Sequence, residues 1–143
     1  MNKQCAECPW RRDVAPGQFS VQRFEDLRPC VEQGFGRLFA CHKSPEEDKR
    51  ACVGYVLNQL REDGRGPQNF NLRKLLSSGR IEPEKMTLVG PQYENYDEMV
   101  EANRLAEEKK SAESSRQGEG SATARCDASG DHRLLRRKRR RRA

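Results

Sequence analysis

A scarcity of large apolar residues, two separated groups of cysteines and a terminal run of arginines predict one architecture. It is a small α-rich (α+β) metal-stabilised domain with a disordered basic C-terminal tail. Leu, Ile, Val and Phe number 24 in 143 residues, while charged residues reach 35%. Such a content lies below the ~20% at which highly charged chains cease to hold a conventional core. A large core is therefore excluded. A membrane span is excluded as well, because no stretch approaches the ~20 apolar residues that a spanning helix needs.

The six cysteines are Cys5, Cys8, Cys30, Cys41, Cys52 and Cys126. The opening residues, MNKQCAECPWRRD, have no apolar h-region, so the expected compartment is the cytoplasm, a host's if the chain is phage-encoded. Thiols there bind metal more readily than they form disulfides. A structural metal also substitutes for the core that small domains lack. The expected organisation is a cysteine-rich metal-binding module over 1–62, a helical extension over 63–110 and a disordered tail over 111–143.

Taken in order, Cys5 to Arg12 form a turn without regular structure. A short helix follows, with Ser20 as N-cap, Phe19 and Phe24 at hydrophobic-staple positions and Pro29 as the stop. Leu38-Phe39-Ala40-Cys41 reads as a short strand. The strongest helix is expected over residues 45–62. There Ser44 and Glu47 form a capping-box pattern, Pro45 takes the first helical position, and Val53, Val56, Leu57 and Leu60 make an apolar stripe that Gly64 ends. Gly54 is misplaced in that helix, costing ~1 kcal/mol relative to Ala, which implies close approach by another backbone or a tolerated glycine. Leu72, Leu75 and Leu76 give a second short helix closed by Gly79. Asn95 and Glu98 start a third, running to about Lys110, with Tyr96, Met99, Val100 and Asn103 on one side.

Charge is distributed unevenly. Residues 133–142 carry eight positive charges; the rest of the chain has 20 basic and 22 acidic residues. Arg136, Arg137, Lys138, Arg139, Arg140, Arg141 and Arg142 are the candidate contacts to DNA or RNA, each phosphate contact releasing counterions. The segment from Glu94 to Glu119, with eight acidic and four basic residues, competes for that tail.

Cys5 and Cys8 are spaced C-x2-C, a turn that brings two thiolates to one ion at ~2.3 Å. The second pair comes from the region of Cys41, His42 and Cys52. Neighbouring strand residues face opposite ways, so Cys41 is the favoured ligand and His42 its alternative. The expected set is Cys5, Cys8, Cys41 and Cys52. Zinc is the expected metal, with an iron–sulfur cluster as the alternative, since thiolates suit both. Cys30 and Cys126 read as spare thiols and His132 as a solvated tail residue. Trp10 reads as core more than as a base-stacking residue. Arg11 and Arg12 face either carboxylates of the first helix or phosphates.

Three motifs carry a resemblance: Cys5-Ala6-Glu7-Cys8-Pro9-Trp10-Arg11, Phe39-Ala40-Cys41-His42-Lys43-Ser44, and Cys52-Val53-Gly54-Tyr55. Together they resemble a domain-of-unknown-function family of small cysteine-rich proteins of bacteria and tailed phages. The resemblance spans about residues 5–60, with a weaker echo at Asp97-Glu98-Met99-Val100. It implies a metal-binding module and assigns no reaction.

The sequence offers little material for catalysis. Two histidines, one in the tail, leave a triad almost unprovided, and a closed four-ligand metal site has no position for water. The expected function is a small non-enzymatic zinc-binding accessory that contacts nucleic acid or a host protein. The alternative is a thiol redox or iron–sulfur protein.

Overall fold

In the computed structural model, which describes residues 2–61 and 66–119, regular structure is confined to helices. Ser20 opens α1 (Val21–Leu27), its hydroxyl accepting from Arg23 N. The Phe19 and Phe24 rings meet edge-on at 6.1 Å, closing the staple. Pro29 converts the end of α1 into a 3-10 turn over Arg28–Cys30. α2 covers Val53–Arg61, α3 Phe70–Ser77 and α4 Tyr96–Glu119. A second 3-10 turn spans Pro83–Lys85. Strand content among the described residues is limited to isolated bridges: Lys3 with Thr87, Arg11 with Gln92, Gly34 with Asn69, and Ala40 with Ala51. Among the described residues no helix is long and apolar enough to cross a membrane.

Three expectations about boundaries are corrected. The helix expected over 45–62 begins only at Val53. Residues 45–50, PEEDKR, contain no apolar side chain after Pro45 to hold a helical face against the core. Ser44 does not cap a helix. Its hydroxyl donates to Cys41 O at 2.6 Å and accepts from Arg50 N at 3.3 Å. The chain instead closes a hairpin-like loop through Cys41 N to Arg50 O (2.7 Å) and Cys52 N to Phe39 O (2.8 Å). The expected strand at 38–41 accordingly reduces to the single bridge at Ala40. At the other end, α4 runs to Glu119 through residues assigned by composition to the tail. Ser111 and Ser115 donate back to the carbonyls of Glu107 and Ser111, so their hydroxyls follow the helix without interrupting it. Gly64, the tail arginines, Cys126 and His132 lie outside the described residues.

The core is small and aromatic. Trp10 and Tyr55 are fully buried, and the Trp10 ring lies 5.8 Å from Phe39, 6.2 Å from Tyr55 and 5.8 Å from Tyr96. Phe24, Leu72 and Met99 complete it. The tyrosines pay little for burial of their hydroxyls: Tyr55 donates to Cys30 O at 2.6 Å, and Tyr96 donates to Phe24 O. α1 packs on α4, joined by Arg28 to Asp97 (2.9 Å) and by Val21 N to Glu107 Oε2 (3.2 Å).

Asn69 organises the loops. Its side chain caps α3 by accepting from Leu72 N at 3.1 Å, and its amide donates to the carbonyls of Cys30, Gly36 and Arg37. Gly36 is where the loop touches the 3-10 turn: a Cβ there would stand 2.1 Å from Pro29 O.

Candidate metal centre

The N-terminal segment reaches the site as a strap laid along residues 87–93. Thr87 N donates to Asn2 O (2.7 Å), Gln4 N to Thr87 O (2.9 Å), Arg12 N to Pro91 O (2.9 Å) and Tyr93 N to Trp10 O (3.0 Å). Between these anchors the chain turns sharply, with Cys8 N donating to Cys5 O at 3.3 Å and Arg11 N to Cys8 O at 3.0 Å. The Cys5 sulfur faces the Glu7 N–H and the Cys8 sulfur faces the Trp10 N–H, each two residues on. That is the geometry by which a C-x2-C turn stabilises thiolates.

Cys41 and Cys52 come from the two ends of the loop closed by the Ala40–Ala51 bridge. Cys52 immediately precedes α2, and its sulfur faces the Tyr55 N–H in the first turn, in the manner of an N-cap. Cys8 Sγ lies 3.6 Å from Cys52 Sγ, close to the ~3.8 Å edge of a tetrahedron with ~2.3 Å metal–sulfur bonds. Cys5 Sγ, Cys41 Sγ and a ring nitrogen of His42 lie within 4.8 Å of one another. The Cys8–Cys52 pair adjoins this trio through Cys5, whose side chain neighbours that of Cys8, but among the described residues the donor atoms that all lie within 4.8 Å of one another are those of Cys5, Cys41 and His42 alone.

His42 departs from the expectation that it and Cys41 face opposite ways. Ser44 N donates to Cys41 O at 3.0 Å, so Cys41 and His42 lie in a turn and not in a strand. Both therefore approach Cys5. His42 Nε2 is buried without a hydrogen-bond partner, and Glu7 Oε2 at 3.9 Å is too far to serve as one. Burial, with Lys43 beside it, lowers the His42 pKa and favours the neutral imidazole that a metal requires.

Electrostatics divide the thiols. Cys8 is drawn down to about 6, chiefly by the hydrogen bond from Cys52 and further by those from Trp10 N–H and from Gln4 Nε2 at 3.3 Å. Cys52 is raised, being the donor to Cys8 and deeply buried. Burial and its thiol neighbours push Cys5 up to about 12. Cations stand nearby: Arg11 feels the charges of Cys8 and Cys5, and Lys43 those of Cys5 and Cys41. Both are also held by carboxylates, Arg11 by Asp13 at 2.7 Å and Lys43 by Glu7 at 2.5 Å.

Two residues support the knuckle, of which Gln4 escapes a reading of the sequence and Gly54 is marked by it. Gln4 is buried and forms a reciprocal amide pair with Gln92, donating to Gln92 Oε1 at 2.6 Å and accepting from Gln92 Nε2 at 2.9 Å. Its one sequence signal is its position directly before the knuckle. Gly54 is the other: a Cβ there would meet Gln4 Nε2 at 2.7 Å, Trp10 Cβ at 2.8 Å and Cys8 Sγ at 2.9 Å. The close approach is made by side chains of the knuckle, not by a second backbone.

Other sequence candidates stand apart from the cluster. Cys30 is buried in the core, and burial raises its pKa to about 11. Trp10 is fully buried and offers no face to a base. Arg11 forks onto Asp13 at 2.8 and 2.7 Å, and Arg12 pairs with Glu98 at 3.3 Å. The candidate nucleic-acid contacts Arg136 to Arg142 lie outside the described residues. Cys5, Cys41 and Cys52 line a cleft of about 140 Å³ with Lys3, Lys43 and Arg50.

No curated protein and no solved structure matches the chain. One family model does, from residue 1 to residue 116, spanning the strap, the cysteine cluster and all four helices to within the last turn of α4. The chain thus belongs to DUF6283, a family of unknown function.

Proposed function

We propose that the chain is a small non-enzymatic module in which Cys5, Cys8, Cys41 and Cys52 hold a structural zinc ion. Its role on this reading is that of a cytoplasmic accessory contacting nucleic acid or a protein of the host cell. The observations that carry the metal reading are the Cys5, Cys41 and His42 donors within 4.8 Å of one another and, beside them, the Cys8 and Cys52 sulfurs at 3.6 Å. That spacing is the edge of one tetrahedron of thiolates around a metal ion, an edge that zinc and a single iron of an iron–sulfur centre share, and the test below separates the two. His42 is the fifth donor in reach and the alternative to Cys41. Zinc would supply folding energy, and four protein ligands would leave no position for a reacting water.

The test is metal analysis of anaerobically purified protein, read with circular dichroism before and after chelation. About one zinc per chain, a colourless solution and loss of helical signal on chelation are expected. Metal-free protein with an unchanged spectrum would sink the metal reading. A brown protein would replace zinc by iron–sulfur. Comparing Cys41→Ser with His42→Ala then identifies the fourth ligand by which variant loses zinc. For the nucleic-acid contact, full-length chain and a chain lacking residues 133–143 are titrated with duplex at 50 and 200 mM salt. Eight tail charges limit the log–log salt slope to about −7, and competition from the acidic segment makes it shallower, about −3 to −5.

A further inference from the structure

We infer that the loop tip at Phe35, together with Phe70 and Arg73, is a stacking site for the bases of single-stranded nucleic acid. This rests on the nucleic-acid half of the reading above but places a contact on the body, separate from the arginine tail.

Phe35 is 77% exposed, in a chain that has only five phenylalanines and little core to spare. The exposure is built, not incidental. Phe70 N donates to Gly34 O at 2.7 Å, and Asn71 Nδ2 donates to the carbonyls of Phe35 and Gly36 at 3.0 and 3.1 Å. Asn69 holds Gly36 O and Arg37 O from the other side, each at 3.1 Å. Side-chain amides and a bridge thus fix a loop whose tip is an aromatic ring pointing to water. Fixing the ring in advance removes an entropy cost that a mobile loop would meet on binding.

The ring is not alone. Phe70 lies 5.0 Å from it, edge to face, and the Arg73 guanidinium stands 5.6 Å over the Phe70 ring. Residues 33–40 and 66–81 contain no Asp or Glu, yet include Arg37, Arg73, Lys74 and Arg80. The Gly34–Asn69 bridge brings these two segments together. Among the described residues Arg37, Arg73, Lys74 and Arg80 form no ion pair, while most carboxylates of the body pair elsewhere. Outside residues 133–142 the chain has 20 basic and 22 acidic residues, so a cationic aromatic patch is a local segregation of charge. Exposed aromatic faces beside unpaired cations are what unstacked bases and their phosphates bind, with little sequence preference. Duplex bases are already stacked and present no face to Phe35.

The experiment uses full-length, zinc-loaded wild-type, Phe35→Ala and Phe35→Tyr chains. They are titrated against a labelled oligothymidylate of about a dozen nucleotides and a duplex of equal length. Because Phe35 packs against little besides Phe70, both variants are expected to keep zinc content and helical signal. Phe35→Ala should weaken single-strand binding about tenfold and leave duplex binding unchanged, and Phe35→Tyr should restore most of the loss. Equal single-strand affinities for wild-type and Phe35→Ala overturn the proposal, as does an equal loss on both probes. If wild-type binds neither probe, the stacking site and the nucleic-acid half of the reading fall together, while measured zinc content stands by itself.

Discussion

Replacing Gly54 by Ala tests whether α2 and the cysteine knuckle meet as described. In an ordinary helix interior this change stabilises by ~1 kcal/mol, because glycine loses more backbone entropy on folding. Here the added Cβ would stand 2.7 Å from Gln4 Nε2, 2.8 Å from Trp10 Cβ and 2.9 Å from Cys8 Sγ. None of the three moves freely. Trp10 Cβ is one bond from the backbone of a fully buried residue, Cys8 Sγ is fixed by Cys52 and Gln4, and Gln4 is clasped by Gln92. Overpacking of this kind costs ~1–3 kcal/mol, and immobile neighbours put it at the upper end. The net expectation is destabilisation by ~2 kcal/mol. Since Cys8 must shift, part of that cost appears as weaker zinc binding, about tenfold for each 1.4 kcal/mol. Chemical denaturation of the zinc-loaded protein and competition with a chelator measure the two effects. A higher denaturation midpoint with unchanged zinc affinity, as in an unobstructed helix, would refute the packing argument.

Four further substitutions separate the site from its surroundings. Cys8→Ser is expected to abolish zinc binding, whereas Cys30→Ser and Cys126→Ser keep one zinc per chain by mass spectrometry. Cys30→Ser still destabilises, by ~1–2 kcal/mol in a denaturant melt, because it puts a hydroxyl into a buried thiol's place. Asn69→Ala removes the α3 cap and the donor to Arg37 O, while Cys30 O and Gly36 O retain Tyr55 and Asn71. A loss of ~2 kcal/mol follows. It should lower the thermal midpoint by roughly 10 °C, and a shift under roughly 3 °C would count against Asn69 as the organiser of those loops.

Local signals in the sequence were legible where they concern a few adjacent residues. Ser20, Phe19 and Phe24 specify the start of α1, and Pro29 its end, because capping and stapling act within one turn. The apolar side of α4, with Tyr96, Met99, Val100 and Asn103 all buried, followed from helical spacing alone. The 45–62 helix misled because Ser44 and Glu47 form a valid capping pattern whose helix would have had no apolar face for its first two turns. Tertiary pairing of residues 39–41 with 50–52 took those backbone groups instead. The candidate site was legible in its residue types, but the company of Cys41 and His42 was not, because a turn at Ser44 is invisible to strand periodicity. Gln4, Asn69 and Asn71 act across large sequence separations through single amides, and nothing in the local sequence marks such amides.

The cluster and the core are supplied by the same short segments. Trp10 follows Cys8 by two residues, Phe39 precedes Cys41 by two, and Tyr55 follows Cys52 by three. These three aromatics are also the ones whose rings meet, at 5.8 to 6.2 Å. Each segment is an irregular loop or a helix start, and none can hold its aromatic in place by its own hydrogen bonds. Metal binding and aromatic burial should therefore form one cooperative step: gathering the thiols gathers the rings, and a structural zinc held as proposed would supply ~10 kcal/mol or more toward it. Trp10 reports on this step, being the single tryptophan, fully buried, with its backbone N–H directed at the Cys8 sulfur. Titrating the zinc-loaded protein with a strong chelator should shift tryptophan emission to the red in step with the loss of helical circular dichroism and of bound metal. Phe39→Ala should weaken zinc binding although it supplies no ligand atom, because it removes one of the rings that the gathered thiols bring together. Emission that stays blue after the metal has left would show that the aromatic core stands without the cysteines, and the coupling would be wrong.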